Sequence, residues 1–293
     1  MKKMLFILNP CAGMKKANKV LLDILTIFNR ADYDVRVYIT GGPQDATAAV
    51  ERLAPEVDLV VCSGGDGTLN EVITGILRAG LSTPIGYICA GSTNDFATSL
   101  KLATDPIAAA KQIVNGKIQS VDVGMFGDRY FSYVASFGAF TKASYSTPQA
   151  VKNALGHTAY LLEGIKDLSQ IRKLRVRLEL DGEVLEDDYI FGAVCNSTSV
   201  GGILTLDPSQ VDMSDGQFEV LLVRAPKNLA EITECIGAVQ KQQYNCRMMT
   251  FRSAKEVRIF TEDEMNWSLD GEMARGGDAI TAKNLHNAIH LLR

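Results

Sequence analysis

Three stretches of this chain combine small, flexible and acidic residues in the way phosphate chemistry uses them. The first is Ser63-Gly64-Gly65-Asp66-Gly67-Thr68, followed by Leu69 and Asn70. Its glycines let the main chain approach an anion closely and take positive φ. A helix beginning near Leu69 would aim free N–H groups and its positive dipole end at that anion. Asp66 alone would repel a phosphate. It fits if it holds a cation or the cation's waters, since Mg2+ commonly takes one or two carboxylates together with phosphates. A glycine-rich turn with a capping aspartate is an equally weighted alternative on these grounds. The second stretch, Asn9-Pro10-Cys11-Ala12-Gly13, leaves room for a phosphate or a ring, with Lys15 and Lys16 just beyond. The third, Gly91-Ser92-Thr93-Asn94-Asp95, offers two hydroxyls, an amide and a carboxylate. No Gly-Lys-Ser/Thr closes the first stretch, so it is not a Walker A loop. It is not GxGxxG either, which argues against dinucleotide redox chemistry.

Acidic residues recur later. Asp212 and Asp215 frame a short run ending in Gly216-Gln217, and Leu269-Asp270-Gly271-Glu272 lies near the C-terminus. On spacing alone both read as tight turns, because Asp-Gly marks hairpins. His286 and His290 stand four apart on a tail that reads as helical or strand-like; with no further ligands nearby they read as structural. The six cysteines form no CxxC pair, so neither a zinc ribbon nor a thioredoxin-like pair is encoded. Several sit in apolar runs, where a free thiol acts as a small hydrophobe and a reducing compartment is implied.

These loops need strands and helices to hold them. Residues 1 to about 120 alternate: strand Lys3–Leu8, helix Ala12–Asn29, strand Val35–Ile39, helix Asp45–Leu53, strand Asp58–Cys62, helix Thr68–Arg78, strand Ile85–Cys89, helix Asp105–Val114. Short links between alternating elements predict a parallel sheet covered on both faces. In such a sheet, ligands bind beyond the carboxyl ends of the strands, where all three loops fall. The second half changes rhythm. Val121–Phe126 and Tyr130–Phe137 flank Gly127-Asp128; Leu174–Leu180 alternates before Asp181-Gly182; Tyr189–Cys195, Phe218–Val223 and Val257–Phe260 are further strands. Helical insertions are expected over 150–170 and 228–242. An antiparallel sandwich or open barrel fits this half. Phe126, Tyr130, Phe131, Tyr133, Phe137 and Phe140 could line a lipid cleft, although alternating aromatics more often form core.

Composition bounds the partners. The chain has 293 residues, 46% hydrophobic and 22% charged, with a net charge of −4. Disorder, collagen and a disulfide miniprotein are excluded. No positive field draws in nucleic acid. No run approaches a membrane span, and the apolar stretch before Asn9-Pro10 is too short for a signal peptide, so a soluble protein, at most peripheral to a membrane, is expected.

The motifs together resemble a known family. Asn9-Pro10-x-Ala12-Gly13, Gly64-Gly65-Asp66-Gly67-Thr68-Leu69-Asn70-Glu71-Val72 and Gly91-Ser92-x-Asn94-Asp95-Phe96-Ala97 look like the diacylglycerol kinase catalytic-domain family, the soluble bacterial lipid kinases. Gly201-Gly202, Pro208, Asp212-x-x-Asp215-Gly216 and Leu269-Asp270-Gly271-Glu272 continue the match in order. A GGDGT run alone is shared with NAD kinases and phosphofructokinases; sphingosine and ceramide kinases typically carry different loops. Two positions differ from the family's habit: Thr98 and Met14 stand where a basic residue is common. Lys15, Lys16 or Lys166 are the candidates to compensate.

The resemblance implies an α/β N-terminal domain with a parallel Rossmann-like sheet (residues 1–122, rejoined by a tail at about 282–293). It also implies a mainly antiparallel β-sandwich domain (123–281), with the nucleotide in the cleft between them. ATP phosphates would lie on residues 64–70 (Gly64, Gly65, Asp66, Gly67, Thr68, Leu69, Asn70). Asn9, Pro10, Cys11, Ala12, Gly13, Thr40 and Ser92 would complete the nucleotide site. Asp66, Asn94 and Asp95 would order the catalytic Mg2+ and its waters. Glu272 would be the general base, supported by Asp270. Asp212, Asp215 and the Gln217 carbonyl would hold a structural Mg2+. The implied reaction is ATP-dependent phosphorylation of a lipid hydroxyl, diacylglycerol giving phosphatidic acid. The alternatives are a NAD kinase or other small-molecule kinase of the superfamily, or a nucleotide-binding regulator without catalysis. The implied setting is the cytoplasm, with peripheral contact at the inner membrane surface; a homodimer is compatible with it.

Overall fold

The apolar run Met4–Leu8 is buried at every position within strand β1 (Lys2–Leu8), as a strand covered on both faces requires. The structure, a computed structural model, describes residues 1–13, 19–91, 93–139, 172–200 and 204–293. The helix expected over 150–170 lies outside the described residues, as do Met14, Lys15, Lys16, Ser92, Phe140, Lys166, Gly201 and Gly202. The chain divides into two units, Met1–Val123 with His286–Arg293, and Gly124–Leu285.

In the first unit β1 pairs in parallel with β2 (Tyr33–Ile39) and β3 (Leu59–Gly64). Strand β3 pairs in parallel with β4 (Ile85–Cys89), and Leu291 of β17 (Ala279–Leu292) lies in parallel register with Ile85. Helices α1 (Leu21–Arg30), α2 (Asp45–Leu53), α3 (Asp66–Arg78), α4 (Asp95–Ser99) and α5 (Pro106–Asn115) connect the strands. Helix α5 follows the sequence rules closely: Pro106 opens it and the Asp105 side chain accepts the Ala108 N–H at 2.9 Å, a proline at N1 behind an aspartate cap. Met4, Phe6, Ile24, Phe28, Val61 and Ile88 form one core cluster.

Two boundaries differ from expectation. Strand β3 runs on through Ser63 and Gly64, because Gly64 stays in register with Cys89 of β4. Helix α3 begins at Asp66, and Gly65 alone links the two. The anticipated long loop is therefore one residue, and Asp66 and Gly67 belong to a helical first turn. Likewise the helix expected from Ala12 is described only from Leu21. Ala12 and Gly13 lie in a turn, with Gly13 at φ +52°.

The second unit is antiparallel throughout. Strand β9 (Glu183–Cys195) pairs with β7 (Val134–Gly138), β8 (Leu174–Leu180) and β12 (Phe218–Arg224). Strands β10 (Ser199–Val200) and β11 (Leu204–Thr205) form a separate antiparallel pair, β13 (Met249–Ala254) joins β12, and β14 (Glu256–Phe260) joins β8. Strand β15 (Asn266–Leu269) lies between β7 and β16 (Glu272–Arg275). Strands β5 (Ile118–Phe126) and β6 (Arg129–Phe131) form a hairpin, and α6 (Leu229–Gln240) is the described helix of this unit. Phe126 and Phe137 pack on Trp267 with ring centroids 4.6 and 4.9 Å away, and Phe131 stacks on Phe218 at 5.5 Å. Phe126, Phe131, Tyr133 and Phe137 are all buried, so these aromatics are core and do not form an open lipid cleft.

Candidate functional site

Glycine packing draws the strand-end loops of the first unit together. A Cβ on Gly65 would lie 3.3 Å from the Gly91 Cα, and one on Gly91 would lie 3.0 Å from the Gly65 Cα. A Cβ on Gly13 would meet the Ala90 carbonyl oxygen at 2.0 Å, so the loop after β1 rests against the loop after β4. Asn9 ties the first loop to α3: its Nδ2 donates to Thr68 Oγ1 at 2.9 Å, and its Oδ1 accepts the Cys11 N–H at 2.9 Å. The side chain of Asn94, itself at φ +53°, closes the third loop by accepting the Gly91 N–H at 2.8 Å and donating to the Gly91 carbonyl at 3.1 Å.

Helix α3 starts at this convergence. Its N-cap, Gly65, brings no side-chain cap, so the cap leaves the first-turn N–H groups to an anion. Asp66 is buried, at 8% exposure. Its Oδ2 accepts the Asp95 N–H at 3.1 Å and its Oδ1 accepts the Tyr87 hydroxyl at 3.4 Å. Burial raises the Tyr87 hydroxyl well above its usual range, so it stays a donor. Asp66 and Asp95 are both buried, at 8% and 6% exposure, and are joined through the Asp95 main-chain N–H; carboxylates are the ligands Mg2+ takes alongside phosphate. Among the described residues no three His, Cys, Asp or Glu side chains gather into a metal cluster.

Glu71, inside the Gly64–Val72 motif, has a structural task that no local pattern announces. Its carboxylate accepts the Gln44 N–H at 2.9 Å and the Ala46 N–H at 3.0 Å, capping α2 and holding the segment that begins at Thr40. Thr40 itself bonds back to Leu8, whose carbonyl accepts its N–H at 2.9 Å. Asp45 closes the same segment: the Gly41 N–H at 2.6 Å and the Tyr38 hydroxyl at 2.7 Å hold its carboxyl below the usual aspartate value.

In the second unit Asp270 and Glu272 part company. Asp270 and Gly271 take φ +49° and +87° as the turn between β15 and β16, which the Asp-Gly pair predicted. Yet the Asp270 carboxylate is buried and takes the N–H groups of Ser132, Tyr133 and Val134 at 2.5, 3.0 and 3.0 Å, and the Ser132 hydroxyl at 2.6 Å. Burial pushes this carboxyl up while the donors pull it down. Glu272 is exposed, with an ion pair to Arg129 at 3.4 Å. Of the two carboxylates only Glu272 faces solvent; Asp270 is buried at 8% exposure.

Asp212 and Asp215 each cap their own turn. Asp212 Oδ1 accepts the Ser214 N–H and hydroxyl, Asp215 Oδ1 accepts the Gln217 N–H at 2.8 Å, and the Gln217 carbonyl accepts Asn284 Nδ2 at 2.9 Å. Oxygen donors of this kind suit a hard cation. The histidines are structural: His286 Nδ1 lies 3.1 Å from Asp122 Oδ1 and His290 Nδ1 lies 3.1 Å from Ser120 Oγ. An open groove of about 1010 Å3 beside α6, lined by Thr233, Lys241, Tyr244 and Phe251 among others, contains none of the expected site residues.

Comparison with known proteins adds a separate observation. Residues 3–126 match the family described as diacylglycerol kinase catalytic domain, and residues 134–293 match the YegS C-terminal NAD kinase beta sandwich-like domain. The chain is 32% identical over 297 residues to a diacylglycerol kinase of Bacillus subtilis, covering 100% of this chain and 96% of the relative. It is 32% identical over 273 residues to a diacylglycerol kinase of Staphylococcus epidermidis, covering 92% and 86%. A crystal structure of a diacylglycerol kinase from Bacillus anthracis superposes with a TM-score of 0.78 at 23% identity, covering 99% of this chain and 96% of that one. At that identity the likeness is one of fold.

Proposed function

The chain belongs to the diacylglycerol kinase catalytic-domain family, and from that premise we propose that it transfers the γ-phosphate of ATP to the hydroxyl of diacylglycerol, giving phosphatidic acid. The observation that carries this reading is the glycine-packed junction of Gly13, Gly65 and Gly91 at the start of α3. Three loops that would otherwise be unrelated meet at one helix N-terminus, which is a phosphate-binding arrangement.

In this reading the first-turn N–H groups of α3 bind the phosphates. Asn9, Thr40 and the small residues Pro10 to Gly13 form the rest of the nucleotide site. Asp66 and Asp95 would hold Mg2+, which when bound neutralises phosphate charge as phosphorus changes partners. Tyr87 and the Asp95 N–H fix the Asp66 carboxylate in one orientation. Glu272 accepts the proton from the lipid hydroxyl as that oxygen attacks phosphorus, a contribution of about 10²–10⁴-fold. Asp270 anchors the turn that carries Glu272. Asp212, Asp215 and the Gln217 carbonyl would take the structural Mg2+. In this reading the lipid is met by peripheral contact at a bilayer surface; among the described residues no helix is long and apolar enough to cross a membrane.

The test is transfer of label from [γ-32P]ATP in parallel reactions with diacylglycerol in mixed micelles, other lipids, and NAD. Label in the organic phase with diacylglycerol supports the proposal. Label on NAD would make the chain a NAD kinase, and nucleotide binding with transfer to no acceptor would make it a regulator.

A further inference from the structure

One short segment, Arg129 to Val134, grips the turn that carries Glu272 from both sides. Its far end, Ser132 to Val134, donates to the Asp270 carboxylate. Its near end, Arg129, reaches the strand beyond the turn. Arg129 Nη1 donates to the Met273 carbonyl at 3.1 Å, and Nη2 donates to Glu272 Oε2 at 3.4 Å. The first bond ties the planar guanidinium to the main chain of β16, and the second ties the carboxylate to the guanidinium. Arg129 also stands on firm ground. It follows the Gly127-Asp128 turn, where Gly127 takes φ +59° and donates its N–H to the Thr281 carbonyl at 3.0 Å. Its cross-strand neighbour Phe126 packs on Trp267 of β15, with ring centroids 4.6 Å apart.

An exposed glutamate has several side-chain torsions, each with more than one well. A general base, however, works only from within hydrogen-bond reach of the proton it takes. We propose that Arg129 is a positioning residue for Glu272: its two donors hold the carboxylate in one orientation against β16. The inference rests on the reading of Glu272 as the base. Arginine suits the task because its planar head presents donors in fixed directions, so one residue serves a carbonyl and a carboxylate together. A lysine ammonium keeps the charge without that fixed fork. The pair adds little to folding, since both side chains are exposed, at 40% and 58%, and exposed ion pairs contribute little to stability.

Steady-state transfer of 32P from ATP to diacylglycerol tests this with Arg129→Met, Arg129→Lys, Glu272→Gln and the double variant carrying Arg129→Met and Glu272→Gln. Arg129→Met lowers kcat about 10–100-fold, with the KM for both substrates and the melting temperature near wild-type values. Arg129→Lys recovers part of that loss. In the Glu272→Gln background, removing Arg129 costs little further rate, because its effect runs through that carboxylate. A wild-type kcat in Arg129→Met beside an impaired Glu272→Gln overturns the inference. So do losses that multiply in the double variant, since Arg129 would then act on the substrates directly. A Glu272→Gln variant at the wild-type rate is a different failure: it overturns the reading of Glu272 as the base, and the inference with it.

Discussion

Asp270 and Glu272 lie two residues apart, yet one carboxylate is sealed among four donors and the other is exposed beside Arg129, 3.4 Å away. A tight turn produces the division. Positive φ at Asp270 and Gly271 folds the first side chain back onto Ser132–Val134 and leaves the second at the start of β16. One hairpin therefore carries a buried, fully hydrogen-bonded carboxylate and an exposed one two residues apart.

Removing the Asp270 carboxylate should unfold more than it inactivates. Each donor stranded in the interior costs about 1–3 kcal/mol, so Asp270→Ala should lose several kcal/mol in a denaturant titration. Glu272→Gln, at an exposed site, should stay within about 0.5 kcal/mol of wild type.

Gly13→Ala tests the junction of loops. The position needs positive φ, costing an alanine about 1–2 kcal/mol, and the added Cβ would stand 2.0 Å from the Ala90 carbonyl. The variant should melt lower and bind ATP more weakly by calorimetry.

Glu71 should act on nucleotide affinity through the segment it caps. Replacing it by Ala strands the Gln44 and Ala46 N–H groups, at a cost of about 1–3 kcal/mol, and frees the Thr40 segment. The KM for ATP should rise several-fold while kcat changes little. Glu71→Gln, which keeps an acceptor, should recover part of the loss.

Asp45 should give stability a dependence on acid. Its carboxyl is held below the ordinary value of 3.8 by the Gly41 N–H and then the Tyr38 hydroxyl. A depressed carboxyl contributes stability that is present above the unfolded value and lost as pH falls through the folded one. Melting temperatures of wild type and Asp45→Asn should differ at pH 7 and converge only as pH falls beneath 3.8 and through the lowered folded value.

The fold was legible where pattern and chemistry coincide. The buried run of β1, the proline and aspartate at the start of α5, and the Asp181-Gly182 and Asp270-Gly271 turns all have local causes. Boundaries set by pairing were not legible: Ser63 and Gly64 stay in β3 because β4 continues beside them, which no local signal announces. At the site, the motif residues marked themselves by glycine spacing. Partners such as Ser132 for Asp270 and Tyr87 for Asp66 did not, because they are defined by contacts 138 and 21 residues distant in sequence. Strands β15 and β16 are only four residues each and take their order from neighbours, and six-residue β13 lacks a clean alternation and is placed by its pairing with β12.

The central claim is that Glu272 takes the proton during phosphoryl transfer from ATP to diacylglycerol. Steady-state transfer of 32P to diacylglycerol, measured for wild type and Glu272→Gln alongside ATP affinity by calorimetry, addresses it directly. Labelled phosphatidic acid is expected with the wild type, with a fall of about 10²–10⁴ in kcat for the variant and unchanged ATP affinity. A variant that turns over diacylglycerol at the wild-type rate would contradict it.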